Sequence, residues 1–123
     1  MATTQNHITL DMNQLEAIGI PEALAYTMDC VQHFHTVPDV GNLHATLPVL
    51  ESYVESIERT TPSLLSTIPQ QYVHLLYRYV INKITSTEPP EQRFWFTIKQ
   101  GLQDPTELTA LPHYVNELIE QHQ

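Results

Sequence analysis

The chain has 123 residues, 41% of them apolar and only 15% charged, a balance that favours one folded domain over disorder. Five Lys and Arg against fourteen Asp and Glu give a formal charge of −9, which excludes a basic footprint for DNA or RNA and disfavours anionic membrane surfaces. The single cysteine, Cys30, excludes an internal disulfide and a Cys-rich metal centre, and fits a reducing compartment.

Residues 1–20 lack the basic start and apolar run of a signal peptide, and no stretch approaches the roughly 18 apolar residues of a membrane span. Cytoplasm is the expected location, and 1–123 is read as a single helical domain with a flexible tail over 1–8.

Proline sets the phrasing of the chain. It loses no intrahelical hydrogen bond at the first helical position, and its fixed φ suits the first turn. Pro21, Pro48, Pro69 and Pro112 each follow an apolar residue able to staple the start of a helix. The first helix is predicted over 10–18, with Thr9 or Asp11 near its cap and Gly19 ending it. The second runs over 21–34 on a stripe of Leu24, Met28 and Val31. Residues 36–46 read as the longest irregular connection. A third, amphipathic helix spans 47–59, with Leu47, Leu50, Tyr53, Val54 and Ile57 on one face.

A helical turn at 62–67 leads to the helix near 69–85. Its apolar residues cover an arc of roughly 240° on a 3.6-residue wheel, so contact from several sides is expected. Gln71, His74, Arg78 and Asn82 form its narrow polar strip. Helices after Pro89-Pro90 to about Gly101, over 105–109 and over 112–121 complete the chain. No alternation of strand type appears. The fold class is therefore all-α: a compact irregular bundle of five to seven short Pro-initiated helices around the helix near 69–85. The spacing of Pro48, Pro69, Pro90 and Pro112, about 21 residues each, leaves HEAT-like stacked pairs as an alternative.

Four groups of residues have chemistry to offer. Asp29 and His33, four apart on one helical face, are weak metal-ligand candidates if the 36–46 loop returns Asp39 or His44; the same pair is an ordinary surface feature near a helix end. His35 lies in the same run. Glu51, Glu55 and Glu58 make an acidic ridge on the solvent side of the third helix, with no Glu-x-x-His partner for di-iron chemistry. His74 and Arg78 would bind an anion if the polar strip lined a crevice. In Phe94-Trp95-Phe96, successive residues turn by about 100°, so Phe94 points inward, Trp95 sits on the edge and Phe96 faces out as a candidate anchor.

Gly-rich phosphate loops, nucleophile elbows, His-Glu-x-x-His and Cys-x-x-Cys are all missing from the sequence. No cofactor is implied. The expectation is a non-catalytic protein–protein interaction module, an adaptor, chaperone-like or regulatory factor. It would bind through Trp95 and Phe96, with the acidic ridge steering a basic partner, or complete its core as a homodimer. A metal- or small-ligand-binding protein or enzyme is the competing class, and an acidic inhibitor of a nucleic-acid enzyme is a third.

Overall fold

Asp11 opens α1 (Met12–Ile18) with a capping box. Its carboxylate accepts the Gln14 N–H at 2.8 Å, and the Gln14 side chain accepts the Asp11 N–H at 3.0 Å. Gly19 ends the helix at φ +120°, where a side chain would be strained, and its N–H reaches the carbonyls of Leu15 and Glu16. The computed structural model describes residues 10–34 and 39–122, so the expected tail over 1–8 and His35 lie outside the described residues.

Pro21, at φ −54°, leads into α2 (Glu22–Gln32), which buries Leu24, Ala25, Met28 and Val31. Its last residue, Gln32, donates its amide to the carbonyl of Leu10 and so ties the start of the described chain to the core.

The third helix departs from the sequence reading. Helix α3 spans Val40–Glu55, so most of the expected loop is helical and Pro48 lies inside the helix rather than at its start. Asp39 supplies the cap, accepting the Asn42 N–H at 3.2 Å. Pro48 removes one ladder hydrogen bond, but both Pro48 and His44, whose carbonyl loses its donor, are exposed, so water can replace it. Leu43, Thr46 and Leu50 are buried on the opposite side and hold the helix in register across the proline.

Ser63 starts the short α4 (Leu64–Thr67) and also donates to the carbonyl of Leu102 at 2.7 Å. Then come α5 (Gln70–Ser86), α6 (Glu91–Gln103), a 3-10 helix (Pro105–Ala110) capped by Asp104, and α7 (Leu111–Gln121). Among the described residues every regular element is helical, and together they form one all-α bundle.

The hub of that bundle is α6, not the helix near 69–85. Helix α6 packs against α4, α5, the 3-10 helix and α7, whereas the extensive packing of α5 is against α6 alone. Phe94, Trp95, Ile98 and Leu102 are fully buried, each worth about 1.5–3 kcal/mol of transfer free energy. Gly101 permits the closest approach: a Cβ there would stand 2.0 Å from Leu108 Cδ2. On α5 only Leu76, Tyr79 and Val80 are buried, and much of its apolar arc is left half-covered. A wide apolar arc reports surplus apolar surface, not which element covers it. Helix α3 packs on both α2 and α7, closing the early and late parts of the chain on each other. A one-dimensional stack of repeats would not do this.

Candidate functional site

Helices α5 and α6 run antiparallel in a register fixed by two side-chain bonds. Gln92 donates to the carbonyl of Ile84 at 2.8 Å, and Gln103 donates to the Tyr77 hydroxyl at 3.1 Å. Between these ties, Ile81 on α5 and Phe96 on α6 stand level with each other. They are 45% and 46% exposed, two of the three large apolar side chains most open to solvent among the described residues. Half-buried Tyr77 and Ile84 extend the face, and a shallow cavity of about 280 Å³ opens beside it between Ile84, Gln92, Arg93 and Phe96.

The charge of this face is unlike that of the chain as a whole. Four of the five Lys and Arg residues, Arg78, Lys83, Arg93 and Lys99, lie on α5 and α6, and the fifth is Arg59. Of the fourteen acidic residues these two helices carry only Glu91, which is 3% exposed. Arg93 reaches Glu117 on α7 at 3.2 Å, and Lys83 turns inward over the rings of Tyr79 and Trp95 at 5.8 and 6.0 Å. Burial lowers the Lys83 pKa, and Glu91 opposes that shift. Arg78 and Lys99 have no ion pair among the described residues.

Trp95 is not on this face. It is fully buried, edge-on to Tyr79 at 5.4 Å and to Phe94 at 5.0 Å, and its indole N–H donates to Glu91 Oε2 at 3.0 Å. The expectation that Trp95 meets a partner is therefore corrected to a core role. Periodicity put it on the edge of the inward stripe but could not show that Tyr79 packs over it. The Glu91–Trp95 spacing of one helical turn was the available signal: it offers an indole a local acceptor.

The acidic ridge is separate from Phe96, since α3 makes no extensive contact with α5 or α6. Glu51 and Glu55 are exposed on α3, and Glu58 lies past its end in a turn where its N–H donates to Thr61 Oγ1 at 2.9 Å. Beside the ridge is a shallow groove of about 560 Å³ lined by Ala23, Pro48, Val49, Ser52, Tyr53 and Ser56, where Val49 is 43% exposed. Sequence reasoning missed both this groove and Val49, because it placed Pro48 at a helix start.

His33 Nδ1 stands 3.4 Å from Asp29 Oδ1 and 2.9 Å from the Asp29 carbonyl. His44 is exposed on α3, and among the described residues no three His, Cys, Asp or Glu side chains gather as a metal-binding group. His74 and Arg78 are exposed on the outer side of α5. The Cys30 thiol is pushed up to about 11, first by burial and then by the carboxylates of Asp29 and Asp39, with Tyr26 opposing them. It is thus held as a thiol and is a poor nucleophile near neutral pH. A cavity of about 290 Å³ lies where Phe34 meets His122, edge-on at 4.5 Å, and includes Thr87, Glu91 and Leu118 in its wall. Its lining comes from the ends of several elements, a convergence that no local motif reveals. No helix is long and apolar enough to cross a membrane among the described residues. Comparison with protein-family models, curated proteins and solved structures found no match.

Proposed function

We propose that the chain is a non-catalytic docking module that binds another protein through the outer face of α5 and α6. The observation that carries this reading is the side-by-side exposure of Ile81 and Phe96 on adjacent helices. Aromatic residues and Arg are enriched at protein interfaces, where a few well-packed anchors carry most of the binding energy, and this face offers Phe96, Tyr77 and Arg78. Regions of apolar surface rimmed by polar groups mark such sites on proteins of this size. Tyr77 and Gln103 are tied to each other, so part of the face is held in place before binding. The ridge of Glu51, Glu55 and Glu58 is a second contact region, suited to basic groups.

The test is affinity capture from extracts of the source cells with the wild-type chain and with Phe96→Ala. Loss of a captured protein by at least tenfold, with folding retained, supports the reading. Identical captured proteins for the two chains would remove this face from consideration.

A further inference from the structure

Helices α5 and α6 carry no exposed carboxylate, and the acids nearest them, Glu88, Asp104 and Glu117, lie at their ends or on α7, while the α3 groove has carboxylates on its own helix. Arg78 neighbours Tyr77 and Ile81 on α5, and Lys99 follows Phe96 by one helical turn. On the α3 surface, Glu51 and Glu55 occupy the helix, and Glu22 adjoins Ala23 of the groove wall. Val49 in that groove is the third exposed large apolar side chain among the described residues. Each surface thus holds what the other lacks: protruding apolar groups with cations on one, and a hydroxyl-lined apolar groove with carboxylates on the other.

We infer that a second copy of this chain is an occupant of the α5–α6 face, seated head to tail so that Phe96 and Ile81 of one copy enter the Val49 groove of the next. This deepens the docking reading above and rests on it. A two-fold pairing of α5–α6 faces, the commoner symmetry, would bring Arg78 and Lys99 of both copies together with no exposed carboxylate on either pair of helices to offset them. A two-fold pairing of α3 faces would do the same with Glu51 and Glu55. The head-to-tail arrangement matches opposite charges at both ends, and it generates rings or open chains according to whether the rotation closes.

The test uses the full chain in sedimentation velocity at low and high salt. The wild type is expected to gain mass with concentration, and 0.5 M salt is expected to shift that rise to at least threefold higher concentration by screening the charge pairs. Val49→Asp and Phe96→Asp each spoil one surface at an exposed position, and circular dichroism checks that both fold. Each variant alone is expected to be monomeric. Their equimolar mixture is expected to form a heterodimer, because each retains the surface the other lacks. A wild type that stays monomeric up to about 1 mM would overturn the inference while leaving capture of a different protein, tested by Phe96→Ala, standing. Wild-type association with no complex in the mixture would overturn the head-to-tail geometry.

Discussion

Trp95 and Phe96 are neighbours in sequence with opposite surroundings, so truncating each in turn tests the orientation of α6 directly. Trp95→Ala removes a fully buried indole together with its edge contacts to Tyr79 and Phe94 and its bond to Glu91. Buried Trp and Phe truncations cost about 3–5 kcal/mol once the cavity is included. Domains of this size have about 5–15 kcal/mol in all, so this variant approaches unfolding. Trp95→Phe keeps most of the ring but takes the indole donor from the Glu91 carboxylate, and is expected to cost about 1–3 kcal/mol. Phe96→Ala acts on a side chain already 46% exposed and is expected to cost under about 1 kcal/mol. Urea unfolding followed by circular dichroism reads all three, since the chain's only tryptophan is one of the residues changed. A Trp95→Ala cost below that of Phe96→Ala would refute the placement of both side chains.

Three further outcomes follow from the geometry. Gly101→Ala places a methyl group against fully buried Leu108 and is expected to cost about 1–3 kcal/mol in the same unfolding assay; a neutral result would contradict the close approach of α6 to the 3-10 helix. Pro48→Ala restores a ladder bond inside α3 and is expected to stabilise by about 1–3 kcal/mol, whereas a helix starting at Pro48 would be destabilised or unchanged. The third outcome concerns Cys30, whose raised pKa of about 11 against 9.0 for a free thiol leaves roughly a hundredfold less thiolate at pH 8. The higher nucleophilicity of that thiolate returns about a factor of ten, so iodoacetamide should alkylate Cys30 about tenfold more slowly in the folded chain than in urea. The same shift sets a sign for stability: Cys30 keeps its proton in the fold while the unfolded thiol loses it, so its contribution falls as pH rises from 9 towards 11. Tyr79, pushed up by burial and by Asp29 and Glu91, adds to that alkaline loss. Equal alkylation rates would contradict the buried, acid-flanked setting of Cys30.

What could be read in advance was local. Gly19 ended α1 and Asp11 capped it because each acts within one helical turn. Pro21 and Pro69 preceded helices because a fixed φ and a missing N–H are properties of the residue itself. Pro48 misled for the same reason: its preference for a helix start was outweighed by Leu43, Thr46 and Leu50, whose burial depends on helices elsewhere in the chain. The central position given to the helix near 69–85 failed likewise, since its wide apolar arc was real but α6 took the middle. Phe96 was legible because three consecutive aromatics cannot share a face. The burial of Trp95 required Tyr79 from another helix, and the Val49 groove required α2 to lie beside α3.

The most direct test of the docking face is site-specific photo-cross-linking. A benzophenone side chain is placed at position 96 or, as a control, at exposed Asn116 on α7. Each chain is irradiated in an extract of the source cells supplemented with unlabelled copies of the chain. The account predicts discrete adducts from position 96, at least tenfold more abundant than from 116. Equal yields from the two positions would contradict it.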